Sequence, residues 1–209
     1  MISHEFAELG YTFTDDDGVA FFDYKSQDGS NYKLGFSLMR YHPSDGKDDY
    51  PSSDNDPSGA YIFKPIRSDT AKHPYSTSKS ISTFKGKVVN AMVLQYASDD
   101  ISEIYTVIIR MVPGSKLVEF EVKLHGIPVS DNVGKEVVAN WQVIGFDNAD
   151  TFYTDSNGLE MQKRVLNFRP DWTLQTDEKQ SSNYYPIQQA IAIRDSSSNG
   201  QITIMNDRS

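Results

Sequence analysis

At 209 residues the chain has room for one large β domain or two small ones. Its net charge of −9 and pI near 4.8 argue against nucleic acid, which needs clustered Lys and Arg to displace counterions, and against anionic membranes. The absence of cysteine excludes disulfides, thiolate zinc sites and cysteine nucleophiles, and no apolar run approaches the ~20 residues of a spanning helix.

Helical periodicity is scarce. Tyr, Phe, Ile, Val, Thr and Ser punctuated by Gly, Asn and Asp make an all-β composition. The start, Met1-Ile2-Ser3-His4-Glu5-Phe6, is too polar for a signal peptide, and no Asn-X-Ser/Thr sequon occurs. Tyr11–Thr14 and Val19–Lys25 flank Asp15-Asp16-Asp17-Gly18, which predicts an early hairpin with a solvated turn. Tyr32–Tyr41 is the next predicted strand. His42 to Gly59 is a long polar loop holding Pro43, Gly46, Pro51 and Pro57. Its Asp54-Asn55-Asp56 and the earlier aspartate run hint at calcium, although neither shows the full spacing of a calcium loop. Ser58-Gly59-Ala60-Tyr61-Ile62-Phe63-Lys64-Pro65 then reads as a short strand entered from a Gly and stopped by a Pro.

From Ser76 to Leu124 the chain alternates. Tyr105, Val107, Ile109 and Met111 fall on one face of a strand. Pro113-Gly114-Ser115-Lys116 is a turn. Val118, Phe120, Val122 and Leu124 then point inward, with Glu119, Glu121 and Lys123 outward. A long hairpin with one apolar face needs a second layer, so an antiparallel β-sandwich follows. Phe152 to Arg164 reads strand, tight turn, strand. Ser156-Asn157-Gly158 tolerates the positive φ of a two-residue turn, and Asp155 can bond its own backbone two residues on. Ile187, Ala190, Ile191 and Ile193, a turn at Ser196 to Gly200, and Gln201 to Met205 close the chain as strands.

No self-contained active site emerges. His4, His42, His73 and His125 are far apart and form no metal-binding pair. There is no nucleophile elbow and no phosphate-binding glycine loop. Carboxylates are abundant, but most sit in turns where a structural task suffices. Tyr50, Tyr61, Tyr75, Tyr153, Tyr184 and Tyr185 are candidates for stacking on sugar, although as a set such residues are more often core and rim residues of a sandwich.

Several blocks carry a resemblance. Phe152-Tyr153-Thr154-Asp155-Ser156-Asn157-Gly158 resembles a block of the lysosomal-type α-mannosidases, glycoside hydrolase family 38. So do the Ser58 to Pro65 block, Gly126-Ile127-Pro128-Val129 with the following Gly134-Lys135-Glu136-Val137, Asn183-Tyr184-Tyr185-Pro186, and the closing Asp207-Arg208-Ser209. Together they cover about residues 58 to 209 in preserved order, and residues 1 to 57 match weakly. The resemblance implies the first part of the family's C-terminal β-sandwich region, a supersandwich of the galactose mutarotase-like type, as a single domain over 1–209. It implies a non-catalytic part of a zinc-dependent retaining α-mannosidase acting on terminal α-mannose of oligosaccharides. Zinc and the aspartate nucleophile belong to an N-terminal catalytic domain whose His-x-His-Asp and His-His-Asp motifs this chain lacks, so no cofactor is expected here. The partners implied are that catalytic domain and an α-mannoside oligosaccharide. Tyr61 matches the tyrosine that reaches into the mannose site, and the compartment implied is the lysosome or vacuole, or the secretory pathway. Two other readings stay open: a stand-alone carbohydrate-binding or interaction sandwich, and a calcium-dependent adhesion sandwich.

Overall fold

A computed structural model describes residues 2–6, 11–16, 19–25, 31–41, 43–44, 57–59, 64–65, 73–74, 78–97, 104–113, 115, 117–127, 130, 132, 136–177 and 180–208. The chain divides into two compact units: Met1–His42 with Ala71–Ile144, and Pro43–Thr70 with Gly145–Ser209. Among the described residues the fold is all-β, with three antiparallel sheets, none closed into a barrel, and one turn of 3-10 helix at Ser181–Asn183.

The first unit holds two sheets. One is built from β1 (Ile2–Phe6), β2 (Tyr11–Asp16), β3 (Val19–Lys25), β4 (Asn31–Tyr41) and β10 (Glu136–Ile144) in that order, with β5 (His73–Pro74) pairing onto β4. The other runs β6 (Ser78–Lys85), β7 (Asn90–Ala97), β8 (Ile104–Met111), β9 (Val118–Lys123). Period-2 alternation turns one apolar face of each sheet inward. Ala20, Phe22, Phe36 and Leu38 from the first meet Met92, Leu94, Tyr96, Tyr105, Val107, Ile109 and Met111 from the second in one continuous core. Aromatic rings tie the layers. Phe120 on β9 lies 5.6 Å from Phe22 and 5.2 Å from Phe36, and Trp141 on β10 lies 4.5 Å from Phe120. Two sheets sharing one apolar interior are a sandwich, as the alternation requires.

The early hairpin forms, but β2 runs on through Asp15 and Asp16, expected in the turn, which stand opposite Ala20 and Val19. The β8–β9 hairpin turns where Pro113 predicts, since the Ser115 N–H donates to the Val112 carbonyl at 2.9 Å. On its outer face Arg110 bridges Glu119 at 2.9 Å and Glu121 at 2.5 Å. The Glu121 contact raises the Arg110 pKa, and in return Arg110, followed by Lys123, lowers that of Glu121. A second detail differs from expectation. The ladder with β8 ends at the Thr106–Lys123 pair, and Leu124 lies past it, exposed rather than inward.

The second unit carries a four-stranded sheet in the order β12 (Glu160–Val165), β11 (Thr151–Ser156), β13 (Ala190–Arg194), β14 (Gln201–Met205). Ile191 stands opposite Ile204 and Ile193 opposite Ile202, so four isoleucines line one face beside Phe152 and Thr154.

Candidate functional site

The residue singled out by sequence, Tyr61, lies outside the described residues, as do Tyr50 and Tyr75. The ends of its segment are described, and they are closed into a clasp. The Ser58 N–H donates to the Ser44 carbonyl at 2.9 Å, and the Ser44 N–H donates to the Lys64 carbonyl at 2.8 Å. The Lys64 N–H completes the ring by donating to Ser58 Oγ at 3.1 Å. Pro43 and Pro65 add an antiparallel bridge just outside it. Ser44 and Pro65 are buried, so the clasp is seated in its unit while the chain between Ser58 and Lys64 spans only six positions. Gly59 has open space where a Cβ would stand, so packing does not demand glycine there.

In the same unit the β11–β12 hairpin is held by a buried carboxylate. Asn157 and Gly158 both take positive φ, at 52° and 67°, and the Leu159 N–H donates to the Ser156 carbonyl at 2.9 Å. The turn chemistry is therefore the one Asn-Gly favours. The loop is longer by one residue than the two-residue turn expected. Ser156 pairs with Glu160, which leaves Leu159 outside the ladder. Asp155 also reaches further than expected. Its Oδ2 accepts the N–H of Gly158, three residues on, at 2.9 Å. Its Oδ1 accepts the N–H groups of Gln188, Gln189 and Ala190 at 2.9, 3.1 and 3.1 Å. One side chain thus fixes its own turn and the entry into β13. The Gln189 N–H, with those of Ala190, Gly158 and Gln188, outweighs burial and pulls the Asp155 pKa down to about 2.

Asp195 repeats the device at the next turn. Its carboxylate accepts Ser198 Oγ at 2.7 Å, Ser197 Oγ at 2.9 Å, and the N–H groups of Ser197 and Asp147. The Ser198 hydroxyl leads in lowering its pKa. Asp followed by three serines was a legible turn signal, whereas nothing in local spacing tied Asp155 to residues 188–190.

The described tyrosine candidates have partners of their own. The Arg194 guanidinium lies 4.7 Å from the Tyr153 ring centroid. Tyr185 meets the edge of Phe152 at 5.3 Å and takes both Arg164 and Arg169 at 4.6 Å from its centroid. Arg164 Nε is further fixed by donating to Thr154 Oγ1 at 3.1 Å. Tyr185 and Tyr153 are therefore engaged by cations rather than presented as bare platforms. Tyr184 is half exposed.

A catalytic carboxylate needs a free oxygen or a proton to give. Asp155 has neither, since its four donors and its low pKa hold it as a spent anion. Among the described residues no group of three or more His, Cys, Asp or Glu is placed to hold a metal, so these residues do not fit a zinc site. His125 is exposed, and the other three histidine side chains lie outside the described set. The same holds for the side chains of the two aspartate loops, Asp15–Asp17 and Asp54–Asp56.

Comparison with known proteins decides the family. Residues 16–209 match the Glycosyl hydrolases family 38 C-terminal domain. The chain belongs to that family. The match starts well ahead of residue 58, where the recognisable blocks begin, and takes in β3 and β4, while β1 and all but the last residue of β2 precede it. Lysosomal alpha-mannosidase of Dictyostelium discoideum is 30% identical over 96% of this family 38 chain and 19% of its own length. The human lysosomal alpha-mannosidase is 34% identical over 73% of the chain and 14% of its own length. The alpha-mannosidase of Canavalia ensiformis is 31% identical over 88% of the chain and 18% of its own length. The family 38 chain thus spans less than a fifth of each of these relatives.

Proposed function

We propose that this chain is the non-catalytic sandwich part of a zinc-dependent retaining α-mannosidase. It packs on the catalytic domain of the longer enzyme and completes a pocket for terminal α-mannose of oligosaccharides. The observation that carries the reading is the match of residues 16–209 to a C-terminal domain, in relatives of which the chain spans only 14 to 19%. The clasp of Ser44, Ser58 and Lys64 gives it a physical basis, because it would fix both ends of the segment that carries Tyr61 toward the sugar. The low pKa of Asp155 suits the reading in a second way. A carboxylate near 2 stays ionised in an acidic lumen such as the lysosome or vacuole. Zinc, the nucleophile and the covalent glycosyl intermediate belong in this proposal to the catalytic domain, and the chain itself needs no cofactor.

The test is a chromogenic α-mannoside assay on this chain and on the full-length enzyme with zinc supplied. Turnover is expected only from the full-length enzyme, and Tyr61→Ala there should raise KM with its fold intact. Turnover by the 209-residue chain would refute the assignment. A stand-alone carbohydrate-binding module is the competing reading, favoured by exposed Phe168, Trp172 and Tyr184. It requires the chain alone to bind mannose oligosaccharides.

A further inference from the structure

Beyond β12 the described residues 166–177 and 180–184 form a long connection toward β13 with little regular structure of their own. Loops of that length either do something or lack a fixed shape. This one is fastened at its base. The Asn167 N–H donates to Asn183 Oδ1, and Asn183 Nδ2 donates back to Asn167 Oδ1, both at 2.9 Å. Arg169 then crosses the loop. It donates to the Phe168 carbonyl at 2.9 Å and the Ser182 carbonyl at 2.7 Å while resting on the Tyr185 ring. Ser182 Oγ donates to the Gln175 carbonyl at 2.7 Å. Asn167 takes a φ of 57°, in the left-handed region that asparagine tolerates, so the fastening also dictates a less common backbone.

The side chains of Asn167, Arg169, Ser182 and Asn183 are thus turned on the loop itself, while several of its apolar side chains are exposed. Trp172 is 67% exposed, Phe168 55%, Tyr184 49% and Leu166 45%. A preordered surface of this kind loses little conformational entropy when it is covered. Aromatic residues are enriched in the buried centre of protein interfaces. A sugar platform needs polar neighbours free to meet hydroxyl groups. Here Asn167, Arg169, Ser182 and Asn183 are already engaged within the loop, and Leu166 and Phe168 bring no polar handle.

We propose that the 166–184 loop is the surface through which this chain docks onto the remaining four-fifths or more of the longer polypeptide, with Leu166, Phe168, Trp172 and Tyr184 as its apolar centre. The occupant follows from the relatives, each of which carries more than 80% of its length outside the match. This inference rests on the reading that the chain packs against a catalytic domain, and it names the contact.

The test is hydroxyl-radical footprinting read residue by residue in the full-length polypeptide and in the 209-residue chain, with exposed Leu117 as internal control. Trp172 and Phe168 should lose reactivity several-fold in the full-length protein while Leu117 does not. Trp172→Ser should lower the melting temperature of the full-length protein and Leu117→Ser should not. If the loop reacts equally in both and another surface becomes protected, the surface assignment fails while the docking reading stands. If no residue of the chain is protected anywhere, the docking reading fails as well. Protection in the short chain that grows with its concentration, or that appears on adding a mannose oligosaccharide, would replace the proposed occupant with a second copy or a sugar.

Discussion

Phe36→Ala and Phe168→Ala delete the same atoms from two very different places. Phe36 is fully buried, 5.2 Å from Phe120 and 4.8 Å from Trp141, at the meeting point of the two sheets. Removing its ring forfeits the transfer energy, leaves a cavity between layers and breaks two aromatic pairs, for a total of about 3–5 kcal/mol. In a unit of roughly a hundred residues that corresponds to a fall in Tm of about 12–20 °C. Phe168 is more than half exposed, and its truncation should stay within about 0.5 kcal/mol in this chain. Trp141 sits in the Phe36 ring cluster, so its fluorescence during denaturation reports on this core directly. Equal shifts for the two variants would mean that Phe36 does not join the sheets, and the sandwich assignment would fall with it. In the full-length polypeptide the contrast should narrow, because Phe168 is there expected to be covered.

Asp155→Asn should lower the denaturation midpoint of the second unit, since a neutral amide accepts four N–H groups poorly, and an unchanged midpoint would show that the cradle is idle. The acid limb has a definite sign. The contribution of the wild-type carboxylate is complete above its ordinary value of 3.8 and is lost as pH falls through about 2, so stability measured across that window should slope in the wild type and flatten in Asp155→Asn. Gly158→Ala should cost about 1–2 kcal/mol, because φ is +67° there and the new Cβ would meet Gln189 Nε2 at 2.7 Å; a neutral result in equilibrium denaturation would contradict the turn geometry. Gly35→Ala should cost about 1–3 kcal/mol by overpacking, as its Cβ would lie 2.9 Å from Gln142 Cγ and 3.0 Å from Phe21 Cε1, and thermal melting checks it.

Much of the first unit was legible because strand faces follow from period 2 alone. Tyr105, Val107, Ile109 and Met111 share a face in the sequence and share the core in the fold. The Asn-Gly turn was legible for a similar reason, since few residues accept positive φ. What escaped is long-range and polar. Asp155 bonds backbone groups 33 to 35 residues away, and no local pattern announces such an encounter. The interleaving of the units was hidden likewise. Residues 43–70 belong with 145–209 rather than with their sequence neighbours. Leu124 continued the alternation of β9 on paper, but β9 leaves the ladder after Lys123 although β8 runs on to Ile104. The family blocks gave the second unit its meaning, and the loop of residues 166 to 184 shows why strings alone were insufficient there. The asparagines that close it stand 16 residues apart.

The two carboxylates that lock the second unit follow a common logic. A neutral acceptor such as a serine or asparagine oxygen could hold one strand entry, but an anion can gather several N–H groups at once, and the charge strengthens each bond. The drawback of an anionic lock is that acid disarms it. Asp155 and Asp195 escape that drawback because the donors they gather favour the ionised form, which moves their protonation below the ordinary carboxylate range. The more backbone the lock organises, the lower the pH at which it opens. A chain whose turns are built this way keeps its hairpin and its β13 entry closed in mild acid, where a histidine-based lock would already have changed charge. These two turns therefore keep their charge in mild acid through the same hydrogen bonds that define them.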